Sequence, residues 1–325
     1  VLARSISGDS GWTVEAGLPV EVTIESGSTA RTIYSKLDGA GVARMADLEE
    51  AAQSLGVEDR LQAGTYDFTT DSDPKEVIQL LVAGSNTPAG NTITVIEGWT
   101  VDRIVEELAD ATPYSQAEFQ RVLRNGSVAS PYLPSVGGAV DELNRWEGLL
   151  YPAKYQITDA STPTSLLGAM ADGMTRRLND ANWARIEALG VTRYEAIVVA
   201  SLIEREAGTD AERPLVASVV YNRLSEPMRL QIDATVIYAL GFNPGRVLAS
   251  HLEVESPYNT YRVDGLPPTP IGTLSAASLE AALDPATTSY LFYVLAGSDG
   301  SHAFAETYEQ HQENIAKAKA DGVLP

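Results

Sequence analysis

The segment Ala200-Ser-Leu-Ile-Glu-Arg-Glu-Ala-Gly208 places two carboxylates at the end of an otherwise apolar run. A carboxyl group partly removed from water is a ready general acid or base, because desolvation disfavours its charged form. Tyr194 to Ile203 contains no Gly or Pro and is apolar almost all the way round, which predicts a buried helix. Positions two apart on a helix lie about 200° from each other at ~3.6 residues per turn, so Glu204 and Glu206 point to roughly opposite sides. Glu206 continues the bulky stripe Val199, Leu202, Ile203, while Glu204 continues the smaller row Ile197, Ala200, Ser201. Large aliphatic neighbours should raise the pKa of Glu206 and leave it a proton to donate, which makes it the better acid candidate. A helix end surfacing with two ordinary charges satisfies the same spacing.

Other polar side chains recur beside Gly and Pro in the second half. Met228-Arg-Leu-Gln-Ile-Asp-Ala-Thr235 puts Gln231, Asp233 and Thr235 on one face if the segment is extended. Ser256-Pro-Tyr-Asn-Thr-Tyr261 precedes Gly265-Leu-Pro-Pro-Thr-Pro270, and rigid loops bearing Asn, Tyr and Thr suit a hydroxyl-rich ligand. Turn chemistry explains the same residues. His302 stands open between a ligand contact and a plain hairpin residue, and His311 reads as structural. The absence of cysteine excludes thiol catalysis, disulfides and Cys-based zinc sites. Only three histidines occur, none in an HExxH pattern, so neither a His-rich metal site nor any cofactor is implied. There is no GxSxG and no phosphate-binding GxxxxGK[ST], which leaves glutamate-centred acid/base catalysis.

The elements that must hold these groups are mostly helical. At 325 residues, 44% of them hydrophobic, the chain suffices for two domains. With 44 acidic and 23 basic residues its formal charge of -21 repels phosphate backbones, which argues against nucleic acid as a partner. No apolar run reaches the ~18–20 residues of a membrane span. Residues 1–18 read as a linker, truncated from an upstream anchor or signal. A module over 19–85 follows, with strands at 20–24 and 63–68 and helices at 29–37, 45–55 and from Ser72-Asp-Pro74 to Val82. Gly84-Ser-Asn-Thr-Pro-Ala-Gly90 marks a boundary. The second domain, 91–325, opens with a strand at 92–96. Helices are expected from Thr100 to 109, after the capping box Ser115-Gln-Ala-Glu118, over 164–180, 180–189 and 194–207, and from Pro214 to 224. Strands at 290–295 and 302–305 flank a turn, and a helix over 306–320 ends the chain. Helices outnumber strands without βαβ alternation, so the fold class is α+β.

Taken in order, several segments form a pattern. They are Val95-Ile-Glu-Gly98, Glu147-Gly-Leu-Leu-Tyr-Pro-Ala-Lys-Tyr155, Ala200-Ser-Leu-Ile-Glu-Arg-Glu206 and Val216-Ala-Ser-Val-Val-Tyr-Asn-Arg-Leu224. Leu230-Gln-Ile-Asp-Ala-Thr-Val-Ile-Tyr238, Ser256-Pro-Tyr-Asn-Thr-Tyr261, Gly265-Leu-Pro-Pro268 and Gly300-Ser-His-Ala-Phe304 through His311 complete it. Together these resemble the YceG-like (MltG) family of endolytic murein transglycosylases across nearly the full chain. The resemblance implies a LysM-like N-terminal module, a single-pass membrane anchor and an extracytoplasmic catalytic part. It implies cleavage between N-acetylmuramic acid and N-acetylglucosamine inside peptidoglycan strands, leaving 1,6-anhydro ends, beside the machinery of wall synthesis. The family's catalytic acid corresponds to Glu206. Glu147, Gln231, Asp233, Thr235, Asn259, Tyr261 and His302 are then expected to position sugar or steady an oxocarbenium-like state, with Glu97 and Glu204 as local hydrogen-bond anchors. The chain departs from the family at Ala234, where Pro is common, and at Ala153, where Asp is common.

Two rivals remain at this level. A hydrolytic muramidase would need a second carboxylate, Asp233 or Glu147, ~5–5.5 Å away to retain or ~6.5–9.5 Å away to invert configuration. A non-catalytic peptidoglycan-binding scaffold would need only the N-terminal module.

Overall fold

The computed structural model describes residues 14, 16–24, 28–58, 60–84, 92–135, 140–158, 160–226 and 228–324. The chain divides into two compact units, Val1–Asn91 and Thr92–Pro325, each with its own apolar core. Most of the expected linker over 1–18, and the expected boundary after Gly84, lie outside the described residues.

In the first unit β1 (Pro19–Ile24) pairs antiparallel with β2 (Gly64–Thr69), Val22 opposite Tyr66. Between them run α1 (Ala30–Gly39) and α2 (Met45–Leu55), and α3 (Pro74–Ala83) follows. Local chemistry sets these limits. Thr29 caps α1 through Thr32 N–H, and Asp73 caps α3, whose first residue is Pro74. Gly56 closes α2 at φ 64°, a left-handed conformation that glycine adopts without steric cost.

The second unit holds the candidate acid. A short β3 (Thr92–Thr94) pairs antiparallel with β4 (Lys154–Gln156). Helices α4 (Val101–Ala111), α5 (Gln116–Arg124), α6 (Pro163–Asn179) and α7 (Arg193–Glu206) share one core with α8 (Arg213–Ser225), α9 (Asp233–Leu240) and α10 (Ala276–Leu283). The hairpin β5 (Phe292–Leu295) and β6 (His302–Ala305) leads to α11 (Tyr308–Ala320). The described strands form three two-stranded sheets among eleven helices, in keeping with an α+β class. No described helix is long and apolar enough to cross a membrane.

Two expectations are corrected. The helix expected over 180–189 is a single 3-10 turn at Trp183–Arg185: α6 ends at Asn179, and Asn182, extended at ψ 91°, starts a new turn by capping Ala184 N–H. The segment 228–235 is not extended throughout. Gln231 takes φ 52° and α9 starts at Asp233, so the two-residue alternation ends there.

Candidate active site

Helix α7 begins with a Thr192–Glu195 capping box, and every residue from Ala196 to Ile203 is buried. Because the helix is enclosed all round, the apolar stripe does not separate its two terminal glutamates. Their partners do. Glu204 Oε2 accepts from Arg213 Nη1 at 3.2 Å and from Ser275 N–H at 2.9 Å. The paired side chains of Arg213 and Glu204 are only 14% and 9% exposed. Glu204 is thereby a buried ion-pair partner tying α7 to α8 and to the start of α10.

Glu206 has a different environment. Its Oε2 accepts from Tyr293 Oη at 2.8 Å, and its Oε1 from Ala234 N–H at 3.4 Å. Burial is the largest influence and raises its pKa. The bonds from Tyr293 and Ala234 pull it back, nearby Asp233 pushes it up again, and His302 lowers it. No cation hydrogen-bonds Glu206 among the described residues.

The carboxyl opens into a cavity of ≈ 340 Å³. Its walls bring together four of the expected site residues: Gln231, Asp233, Tyr261 and His302. Tyr261 Oη donates to Asp233 Oδ1 at 2.6 Å, which holds this exposed carboxylate beside Glu206. His302 is fixed from behind by buried Glu212, whose carboxylate accepts from its backbone N–H at 2.6 Å and pairs with Nδ1 at 2.9 Å. With Nδ1 engaged by Glu212, Nε2 is the ring nitrogen left for another partner. Gly208 permits this seat: a Cβ there would run into the Gly300 carbonyl and come within 3.4 Å of the His302 ring.

Other expected ligands lie elsewhere. Thr235 and Asn259 are both fully buried. Thr235 Oγ1 bonds Ile232 O and Thr260, and Asn259 Nδ2 donates to Leu252 O and Val254 O. They shape the loops that present Gln231 and Tyr261 and cannot reach a ligand. Glu147 is buried away from this cavity, in the wall of a second one. It accepts from Val101 N–H at the start of α4 at 3.1 Å and from Tyr238 Oη at 3.1 Å, and burial pushes its pKa up to about 8. Glu97, expected to anchor a local hydrogen bond, is exposed and bonds no described residue.

The YceG-like family model matches residues 22–317 of this sequence. The chain belongs to the YceG-like family. It is 34% identical to an endolytic murein transglycosylase of Bacillus subtilis over 92% of this chain and 84% of the relative. It is 26% identical to an endolytic murein transglycosylase of Streptococcus pneumoniae, over 92% of this chain and 58% of that longer protein. A crystal structure of a YceG-like protein from Listeria monocytogenes superposes with a TM-score of 0.62 at 26% identity, covering 91% of this chain and 99% of that one.

This YceG-like chain also builds its cavity from residues that sequence reasoning missed: Tyr293, Arg223, Phe292, Tyr308 and His311. A signal for Tyr293 existed. In the β5–β6 register Leu295 opposes His302, so Tyr293, two residues back, shares the face of His302. Their rings meet edge to face at 5.5 Å. Arg223 left no such signal. It sits under the Phe292 ring at 5.2 Å and donates to Leu291 O and Leu230 O, bracing the cavity wall from below.

Proposed function

We propose that this protein is a lytic transglycosylase that cuts inside peptidoglycan glycan strands, between N-acetylmuramic acid and N-acetylglucosamine. What supports this reading most is Glu206, a desolvated carboxyl held by Tyr293 Oη and facing an open polar cavity. Two relatives are named endolytic murein transglycosylases, which supports the reading.

In the proposed reaction, protonated Glu206 donates to the glycosidic oxygen as the bond to C1 of the muramic acid breaks. The carboxylate so formed takes the proton of that sugar's C6 hydroxyl, whose oxygen closes on C1 to give the 1,6-anhydro end. No water is consumed, and Glu206 is returned protonated. The Asp233 carboxylate, oriented by Tyr261, lies where it could offset positive charge on the oxocarbenium-like state. Burial supplies the proton: at an unperturbed pKa of ~4.3, under about one carboxyl in a hundred is protonated at neutral pH.

The first unit serves in this reading as a LysM-like module that holds glycan, supported by its antiparallel strand pair enclosing two helices. The catalytic part works outside the cytoplasm, tethered by an N-terminal anchor, where wall-synthesis enzymes are its neighbours. Asp233 in the same cavity keeps hydrolysis as the competing chemistry. Mass spectrometry of digested glycan decides between them. Anhydro ends are expected from the wild-type chain and none from Glu206→Gln, with folding retained; reducing ends without anhydro product would overturn the assignment.

A further inference from the structure

A second cavity of ≈ 410 Å³ lies in the same unit and takes no part in the chemistry above. One face of α9 lines it, through Ala234, Ile237, Tyr238 and Gly241, the spacing of a single helical stripe. Ala234 is in its wall while the Ala234 N–H bonds Glu206, and the preceding residue, Asp233, lines the first cavity. One helical turn therefore stands between the two.

Its lining is unusual for an apolar ligand. Trp99, Tyr238 and Phe242 supply aromatic surface, Asn243 an amide and Arg205 a cation, beside the carboxyls of Asp102 and buried Glu147. Phe242 is 59% exposed, a large ring left in water at the rim just after α9. The Asn243 Oδ1 accepts from Gly245 N–H, which orients its amide and leaves the Nδ2 donors for a ligand. Arg205 donates through Nη1 to Gly98 O and pairs with no carboxylate among the described residues, although the chain carries a formal charge of -21. Aromatic faces match the C–H faces of pyranose rings, the oriented Asn243 amide matches their hydroxyl and acetamido groups, and a guanidinium with no carboxylate in contact matches a carboxylate.

We propose that this cavity is a second saccharide subsite, one helical turn from the Glu206 cavity, which holds the sugar units on one side of the cleaved bond. Phe242 is its stacking face, and Arg205 binds a carboxylate carried by the glycan. This rests on the glycan-cleaving reading above. It adds the means by which a strand is held across the acid, as cleavage within a strand requires.

The test uses the whole chain and Phe242→Ala, an exposed substitution that leaves the core untouched. On peptide-free glycan strands the variant should raise KM about fivefold and hold kcat within about twofold. The Glu206→Gln chain should bind a peptide-free octasaccharide of alternating N-acetylglucosamine and N-acetylmuramic acid more tightly than the tetrasaccharide. Adding Phe242→Ala should remove that difference. Adding Arg205→Gln instead should reduce the preference for this octasaccharide over a chitin oligomer of equal length, which has no carboxylate. An unchanged KM in Phe242→Ala, or an undiminished length dependence, overturns the subsite, and an unchanged preference in Arg205→Gln overturns the carboxylate contact. Oligosaccharide binding that depends on Phe242 in a wild-type chain that releases no product would sustain the subsite and overturn the cleavage reading instead.

Discussion

Tyr293 Oη donates to Glu206 Oε2 across 2.8 Å, joining the β5–β6 hairpin to the last residue of α7. Burial and the adjacent carboxyl raise the phenol's own pKa well above its ordinary value, so it remains a donor throughout the working range. Its bond favours the charged form of Glu206 and partly offsets the desolvation that raises the acid's pKa. In Tyr293→Phe the carboxylate loses this donor, and the Glu206 pKa rises further. The alkaline limb of the kcat/KM profile, which reports loss of the acid's proton, should then move up by about one pH unit. An unshifted limb would show that Tyr293 does not act on the catalytic proton.

Glu147 makes a different pH prediction, about stability. Its folded pKa of about 8 stands above the ordinary 4.5, so between these values the native state holds a proton that the unfolded chain has released. Stability must therefore fall as pH rises through that window, by at most about 1.4 kcal/mol per pH unit. Glu147→Gln cannot titrate. Urea unfolding at about pH 5 and about pH 8 should show a smaller loss of midpoint for the variant than for wild type, and equal losses would contradict a protonated Glu147.

Gly208 is required for space rather than for backbone freedom. A Cβ there meets the Gly300 carbonyl, so Gly208→Ala must push the β5–β6 turn away from the end of α7. We expect a loss of about 1–3 kcal/mol by thermal unfolding and a fall in kcat/KM, since the same hairpin carries Tyr293 and His302. Full activity with a lowered Tm would mean that the site tolerates displacement of its hairpin.

Glu204 should affect stability without touching the acid. Glu204→Gln leaves nearly buried Arg213 with exposed Asp210, 2.9 Å away, as its remaining carboxylate. The expected cost is about 3 kcal/mol, at the lower end for a broken buried pair because Asp210 and Ser278 still hold the guanidinium. The pH profile of cleavage should keep its shape. Adding Arg213→Met should recover part of the lost stability, because the nearly buried guanidinium that lost its buried partner is then gone as well.

The elements legible in the sequence were those with local causes. Thr29, Asp73, Thr100, Ser115 and Thr192 begin helices through bonds to residues two or three positions on, and those helices lie where their caps and periodicity put them. Over 180–189 the chain makes only the turn Trp183–Arg185, which Asn182 caps. The polar residues around the cavity were less legible. Period-two spacing grouped Thr235 with Gln231 and Asp233, but the turn at Gln231 and the start of α9 sent Thr235 into the core.

By itself the sequence determined the α+β class, the run of helices, the family and the pair of glutamates at the end of α7. Tertiary structure decided how the two differ. Along the helix they are neighbours with similar burial, and only segments distant in sequence distinguish them. Arg213 and the Ser275 amide bind Glu204, whereas Tyr293 and the Ala234 amide bind Glu206 beside an open cavity. A carboxyl's acidity follows from the charges and donors around it in space, and chain folding alone brings those together.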